Sequence, residues 1–142
     1  MRIVGLDIGE RRIGVAVSDA TGTLARPLGV LRPAGLDVDA LDLVVTEITR
    51  LAGEEDGIAA VVVGLPRRLD GTPNDMTPRV EQFARTLQAK TSLPVTLQDE
   101  RLSSREAESR LAVRDKNWRT RKLRLDAAAA AVILQDYLDG RA

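Results

Sequence analysis

Three short runs rich in β-branched residues open the chain, and they constrain the fold more than any other feature of the sequence. They span Arg2 to Ile8, Arg12 to Ser18 and about Thr23 to Leu31. The polar turn Gly9-Glu10-Arg11 separates the first two runs, which predicts a hairpin. Pro27 lies within the third run and favours a place at the sheet edge, because proline cannot donate a ladder hydrogen bond. The start of the chain therefore predicts an antiparallel part of a sheet.

After residue 31 the apolar residues follow helical and strand spacing in turn. The predicted helices are four: one over 41–51, capped by Asp37 or Asp39 and ended by Gly53; one that begins at Thr77-Pro78; one from Ser103 to about Val113; and an alanine-rich helix over 125–138 that ends at Gly140. The predicted strands are one over 59–64, covered on both faces, and one over 95–98. The order βββ-α-β-α-β-α predicts an α/β fold with a mixed five-stranded sheet flanked by helices. We expect a single domain over residues 1–142.

Two missing residue types restrict the chemistry that the chain can perform. The 142 residues include no Cys and no His, so a disulfide framework, a thiolate nucleophile, a Ser-His-Asp triad and an imidazole metal ligand are excluded. No run approaches the roughly 18 apolar residues of a membrane helix, and no signal peptide is recognisable. These features predict a cytoplasmic protein whose chemistry depends on carboxylates, cations, hydroxyls or a bound metal.

Three acidic residues occupy positions that suggest a function for their carboxylates. Asp7 interrupts an apolar strand and lies between Gly5 and Gly9, which leave room for an approaching group. Glu100 closely follows the strand over 95–98, and Asp126 lies at the start of the alanine-rich helix. Each has a purely structural explanation as well: a hydrogen bond or an arginine partner for the first two, and the helix dipole for Asp126. Asp99 is an alternative to Glu100.

Together the three acids predict a metal site, because carboxylates that converge repel one another unless cations bind them. An all-oxygen ligand set without His or Cys selects hard ions such as Mg²⁺ or Mn²⁺. Two such ions can activate a water and stabilise the leaving oxygen in phosphodiester cleavage. The residues alone leave open whether the acids converge.

Six motifs in register, covering essentially the whole chain, resemble the RuvX/YqgF family. They are Gly5-Leu6-Asp7-Ile8-Gly9, Arg12-Ile13-Gly14-Val15-Ala16, Ser18-Asp19, Val63-Gly64-Leu65-Pro66 with Asp70-Gly71, Asp99-Glu100-Arg101-Leu102-Ser103, and Asp126 leading its helix. The resemblance implies a RuvC-like form of the RNase H fold and an activity as a Holliday junction resolvase or as a nuclease maturing the 5′ end of pre-16S rRNA. It also implies that Asp7, Glu100 and Asp126 are the catalytic metal ligands, brought together by the fold.

The sequence departs from its relatives at two places. RuvC-type nucleases carry a fourth acid about one helical turn after the last one, where this chain has Ala129 and Ala130. The segment after Pro66 reads Arg67-Arg68-Leu69, which is more basic than the family pattern and favours a phosphate contact over a solvated pair.

A basic segment spans residues 114–124, with six cations and one acid in eleven residues, although the chain as a whole is neutral. We predict a mobile loop that clamps phosphates beside Asp126, in preference to a merely solvated loop. Trp118 at its centre either stacks on a base or anchors the loop. The predicted nucleic-acid contacts are Arg12, Arg67, Arg68, Arg101, Arg114, Lys116, Arg119, Arg121, Lys122 and Arg124.

These expectations favour a nuclease with Mg²⁺ or Mn²⁺ that acts on structured RNA, with ribosomal precursor particles as partners. The alternatives are a resolvase of branched DNA, a sugar-kinase-like or actin-like ATPase, and a non-catalytic RNA-binding assembly factor. An ATPase of that type closes nucleotide between two such domains, and this chain supplies only one. The sequence does not distinguish a monomer from a homodimer.

Overall fold

The structure, a computed structural model, describes residues 1–35, 39–99 and 118–141, and for 118–126 it describes the backbone alone. The elements are β1 (Arg2–Ile8), β2 (Ile13–Ser18), β3 (Ala25–Leu31), α1 (Ala40–Ala52), β4 (Ile58–Leu65), α2 (Thr77–Thr91), β5 (Val95–Asp99) and α3 (Trp118–Gly140). The helix predicted from Ser103 to about Val113 lies outside the described residues.

One five-stranded sheet in the order β3-β2-β1-β4-β5 forms the centre of the molecule. β1 pairs antiparallel with β2 and parallel with β4, so the sheet changes from antiparallel to parallel pairing at its central strand. β3 adds an antiparallel edge and β5 a parallel one. The predicted mixed sheet is confirmed. Pro27 lies in the edge strand β3, next to a register irregularity, as its missing N–H requires.

Alternate side chains of the sheet pack against different helices, because successive residues of a strand point to opposite faces. Val4, Leu6 and Ile8 of β1 belong to a core shared with α1 and α2. Ile3 of β1 belongs to a second core with Ile133 and Leu134 of α3. β4 is covered on both faces, as its unbroken apolar run predicts. We call the two sides the α1/α2 face and the α3 face.

The start of α1 differs from its predicted capping. Asp39 occupies the N-cap position, but its backbone is left-handed (φ 54°) and its side chain makes no capping hydrogen bond. Its Oδ1 instead accepts the amide of Ala34, 2.9 Å away, and so fastens the preceding turn. Asp37, the alternative cap, lies outside the described residues.

Helix α3 begins seven residues before its predicted start, so the prediction of a loop through residue 124 was wrong for 118–124. Those residues lack apolar periodicity, but Arg, Lys and Leu have high helix propensity and extend a helix whose apolar part is held by packing. Residues 114–117 lie outside the described part of the chain. Within that part, no helix combines the length and apolar character needed to cross a lipid bilayer.

The Ser18-Asp19 motif is structural, because it lies at the far end of β1 from Asp7. The Ser18 hydroxyl accepts the amide of Ile3 at 2.8 Å. Asp19 closes the β2–β3 turn: its Oδ1 accepts the amides of Thr23 and Leu24 at 2.8 and 3.2 Å, and its Oδ2 accepts the Thr21 hydroxyl at 2.8 Å. These hydrogen bonds, that of the Thr23 amide first, lower the pKa of Asp19.

Asp19→Asn is expected to reduce stability at neutral pH and to remove part of the acid sensitivity. A lowered folded-state pKa means that the ionised carboxylate stabilises the fold above its unfolded pKa of about 3.9, and that this stabilisation is lost as pH falls through the folded value. Melting temperatures of wild type and variant at pH 7 and pH 3 test this: the difference between the two melting temperatures should be smaller at pH 3. The same difference at both pH values would contradict the prediction.

Candidate active site

Asp7 lies near the carboxyl end of the central strand β1. Val4, Leu6 and Ile8 contribute to the α1/α2 face, so Asp7 belongs to the α3 face and is half-buried there. Its partner across the antiparallel ladder is Gly14. On the other side the parallel register ends at Leu6 with Val63, which leaves Gly64 beside Asp7. Asp7 therefore has a glycine, and no larger side chain, beside it on each neighbouring strand.

An open cleft of about 370 Å³ lies directly against Asp7. The β1–β2 turn forms it; the lining residues are Asp7, Gly9, Glu10, Arg11, Arg12 and Gly14. The turn closes through a hydrogen bond from the amide of Gly9 to the carbonyl of Arg12, 2.9 Å long. One acidic residue facing the α3 side and two arginines thus lie around one solvent-accessible space, a combination that suits a cation and a phosphate.

The two glycines that flank Asp7 leave room for close approach, as expected, and the groups that approach them belong to the protein itself. A Cβ on Gly5 would lie 2.7 Å from Leu134 Cβ and 3.1 Å from the Ala130 carbonyl oxygen of α3. A Cβ on Gly9 would lie 2.8 Å from the Arg12 carbonyl oxygen. Gly5 therefore lets α3 lie against β1, and Gly9 lets the turn close.

An ion pair that the sequence did not predict ties the cleft to α2. Arg79 Nη1, in the first turns of α2, lies 2.7 Å from Glu10 Oε1. Both side chains are partly exposed, so the pair adds little stability. It does join the β1–β2 turn to α2, because Glu10 is also one of the residues that line the cleft. Residues 69 apart in sequence give no local signal for such a contact.

The other two predicted site acids are only partly within the described structure. Glu100 lies outside the described residues, and Asp126 lies in α3 with its backbone alone described. Asp99 ends β5 and pairs with Leu65, which belongs to the α1/α2 face, so Asp99 is on the opposite face from Asp7. No cluster of three potential metal-ligating side chains occurs among the residues with described side chains.

Contacts at two levels of β1, near its start and at its middle, show the direction of α3. Gln135 accepts the amide of Ala25 at 2.9 Å and donates to the carbonyl of Thr23 at 3.0 Å, beside the start of β1. Ala130 and Leu134 meet Gly5, farther along the strand. The helix is therefore antiparallel to β1, and its amino-terminal half runs toward the Asp7 end.

The two alanines at the place of the missing fourth acid are buried. Ala129 is 3% exposed and Ala130 is fully buried in the contact with the sheet. A carboxylate at either position would replace a small buried methyl group in this close contact, at a high desolvation cost.

A short segment that contains a turn follows β4 at the end of the sheet where Asp7 lies. We define residues 66–76 as the β4–α2 hairpin, in which Arg67 and Pro73 form an isolated antiparallel bridge. The amide of Arg68 donates to the Thr72 carbonyl at 2.9 Å, and Gly71 adopts φ 90° at the turn. Arg67 and Arg68 are both exposed.

Comparison with known proteins decides the family. The model of the family described as "RuvX: Holliday junction resolvase" matches residues 1–140. The chain belongs to the RuvX family. Among curated relatives, a protein of Anaeromyxobacter sp. (strain Fw109-5) is 43% identical, covering 99% of this chain and 98% of its own. One of Geobacillus kaustophilus is 39% identical, with 99% of each chain covered. Both carry the name "Putative pre-16S rRNA nuclease".

Solved structures confirm the RuvC-like, RNase H-like fold of this RuvX chain. RuvC of Thermus thermophilus in complex with a Holliday junction substrate has a TM-score of 0.56 at 14% identity, covering 99% of this chain and 95% of that one. The fowlpox virus Holliday junction resolvase has the same TM-score at 11% identity, with full coverage of both chains. At these identities the likeness concerns the fold alone.

Much of the predicted basic surface lies beyond the described side chains. Arg12 lines the cleft, and Arg67 and Arg68 lie on the β4–α2 hairpin. The remaining predicted contacts fall in undescribed residues or in the backbone-only part of α3: Arg101, Arg114 and Lys116 in the first group, and Arg119, Arg121, Lys122 and Arg124 in the second. Trp118 is the first residue of α3.

Proposed function

We propose that residues 1–142 form one metal-dependent nuclease domain that hydrolyses phosphodiester bonds of structured nucleic acid. Asp7, Glu100 and Asp126 would be its catalytic metal ligands. The observation that carries the proposal is the position of Asp7: a carboxylate near the carboxyl end of the central strand, between glycines, beside an open cleft lined by arginines. Ligand sites of open α/β sheets lie at this end of the strands.

The geometry of α3 supports the inclusion of Asp126. Ala130 meets Gly5, and the helix is antiparallel to β1. Moving from Gly5 to Asp7 advances about 7 Å along the strand. Moving back to Asp126 from the two residues that contact Gly5, Ala130 and Leu134, advances about 6–12 Å along the helix axis in the same direction. The two acids are therefore expected toward the same end of the sheet.

The alternation of β5 supports Glu100 over Asp99. Thr96 is the register partner of Val62, which packs on the α3 face, and Gln98 follows two residues later on that face. One more residue in the strand pattern would add position 100 to the face that carries Asp7. Asp99 stands on the opposite face.

Oxygen ligands of this kind fit Mg²⁺ or Mn²⁺, because hard divalent ions prefer carboxylates and the chain offers neither His nor Cys. When bound, such an ion supplies Lewis-acid stabilisation and a more acidic water for phosphodiester hydrolysis. The chain's own contribution would be to hold the carboxylates toward the same end of the sheet, with Arg11 and Arg12 in the lining of the adjacent cleft. We propose these two arginines as phosphate contacts.

For the substrate we propose the 5′ end of pre-16S rRNA, because the full-length relatives carry the name of a pre-16S rRNA nuclease. With this substrate we propose ribosomal precursor particles as partners and the cytoplasm as the location. The second candidate is a four-way DNA junction, which the description of the family favours. Resolution of a junction requires two cuts and thus a dimer, whereas trimming of an RNA leader does not.

A paired cleavage assay tests the proposal. Purified protein is incubated with a pre-16S leader RNA and with a four-way DNA junction, each in Mg²⁺ and in Mn²⁺. We expect metal-dependent cleavage of the RNA, with EDTA stopping the reaction. Cleavage of the junction alone would select the resolvase candidate, and cleavage of neither substrate would contradict the nuclease proposal.

Removing two cations of the β4–α2 hairpin is expected to weaken binding through phosphate contacts. For the double variant Arg67→Ala/Arg68→Ala, the slope of the logarithm of the association constant against log[salt] should become less steep by about 1.5. Each lost phosphate contact contributes about 0.7–0.9 to that slope. Filter binding between 50 and 200 mM salt, without divalent metal, measures it. The matched control replaces Arg85 and Lys90 on the exposed surface of α2. An equal change in both double variants would contradict the contact.

A further inference from the structure

A large apolar side chain is exposed in the β4–α2 hairpin. Leu69 has 65% of its surface accessible, although leucine is mostly buried in folded proteins. It directly follows Arg67 and Arg68, which are also exposed, and precedes Asp70. An exposed leucine next to two guanidinium groups combines apolar contact area with positive charge on one small surface.

The backbone around Leu69 is held by several hydrogen bonds. Asp70 Oδ1 accepts both the amide and the hydroxyl of Thr72, at 2.9 and 2.7 Å. The amide of Gly71 donates to the Arg68 carbonyl at 2.8 Å. At the base of the hairpin, Asn74 Oδ1 accepts the amides of Met76 and Thr77 at 2.9 and 3.1 Å. The leucine is therefore presented from an ordered turn.

The hairpin leaves the sheet beside the candidate active site. Gly64, the neighbour of Asp7 in the sheet, is five residues before Leu69. Five residues of extended chain span at most about 17 Å, which is within the width of a nucleic-acid duplex and its backbone. A substrate whose phosphate lies in the cleft would therefore have its neighbouring nucleotides within range of Leu69.

We propose that Leu69 is an apolar wedge that packs against a base where a duplex opens, with Arg67 and Arg68 on the flanking phosphates. Apolar side chains that insert at base steps unstack the bases at an energetic cost that is lowest where pairing is already interrupted. The proposal rests on the proposed function and names its substrate class: nucleic acid with a junction between paired and unpaired nucleotides.

The charge next to Leu69 favours nucleic acid over a protein partner. Leu24 provides the contrast, because it is 66% exposed but lies in the β2–β3 turn, at the end of the sheet away from Asp7. The two leucines share residue type and exposure and differ in position relative to the cleft. Leu24→Ala is therefore a matched control for Leu69→Ala.

Base unstacking tests the proposal directly. Two RNA probes carry 2-aminopurine at the same position, one at a fork between duplex and single strand and one within a continuous duplex. Binding is followed in EDTA, where no cleavage occurs. We expect wild type and Leu24→Ala to raise the fluorescence of the fork probe. Leu69→Ala should lose most of this rise, with Kd for the fork increased about five- to tenfold and Kd for the duplex changed less than twofold.

Equal behaviour of Leu69→Ala and Leu24→Ala would overturn the wedge, as would equal weakening on both probes or no unstacking by wild type. Leu69→Met should retain the signal, since it keeps the apolar volume. Because the probes are read without metal, fork-specific unstacking in a protein that cleaves nothing would reject the nuclease proposal while supporting the wedge.

Discussion

Asp7→Asn is expected to abolish cleavage while the protein stays folded. Losing one carboxylate from the proposed set of three would weaken the hold on a metal that, when bound, would contribute several kcal/mol to transition-state stabilisation. The cleavage rate should therefore fall by about 10²- to 10⁴-fold in Mg²⁺. Single-turnover cleavage of the preferred substrate measures it. Asp56→Asn, an exposed aspartate before β4 at the far end of the sheet, is the control and should cleave like wild type.

Thermal denaturation of the same variants distinguishes a metal ligand from a structural residue. Removing one of several mutually repelling acids should preserve or raise the melting temperature of the metal-free protein. Saturating Mn²⁺ should stabilise wild type, by about 2.7 kcal/mol at a hundredfold excess over Kd, and should not stabilise Asp7→Asn. An Asp7→Asn variant that unfolds would identify Asp7 as a structural hydrogen-bonding residue. A folded variant that still cleaves would reject its catalytic role.

Gly5→Ala is expected to have the largest effect on stability. The new Cβ would lie 2.7 Å from Leu134 Cβ, well inside van der Waals contact, and neither atom is the free end of a flexible side chain. Relieving the overlap requires α3 to move from the sheet, at a cost of about 1–3 kcal/mol. The melting temperature should fall by about 5–10 °C. Cleavage should slow by about tenfold or more, because Asp126 lies on the displaced helix.

Gly29→Ala is the matched control for Gly5→Ala, because Gly29 is also a strand glycine and nothing lies within 4 Å of its added Cβ. It should leave both the melting temperature and the cleavage rate close to those of wild type. An unchanged melting temperature in Gly5→Ala would contradict the close approach of α3 and β1. A destabilised but fully active Gly5→Ala would contradict the placement of Asp126 by that approach.

Local patterns in the sequence predicted most of the sheet and its neighbouring helices. β-branched runs identified β1 to β4 to within a few residues, because strand propensity and alternation act over short distances. Pro27 correctly indicated the edge. The start of α3 was missed, since residues 118–124 have helix propensity without an apolar stripe and extend a helix whose later, apolar part is held by packing.

The candidate site was less accessible to sequence reasoning, because its geometry depends on contacts between distant residues. Asp7 stood out as an acid in an apolar strand. The partner of Gly5 in α3 and the ion pair of Glu10 with Arg79 have no local signature. The grouping of Asp7 with Glu100 and Asp126 came from resemblance to the family and stays a prediction, because Glu100 and the side chain of Asp126 lie outside the described part of the chain.

Anomalous diffraction from crystals soaked in Mn²⁺ tests the central claim most directly. The account predicts a Mn²⁺ peak with Asp7 as a ligand at about 2.1–2.2 Å, and with Glu100 and Asp126 completing the protein ligands, consistent with the distances of hard divalent ions to oxygen. The peak should be absent in Asp7→Asn crystals. A well-ordered structure in which the three carboxylates lie apart, each bonded to its own arginine or backbone amide, would contradict the account.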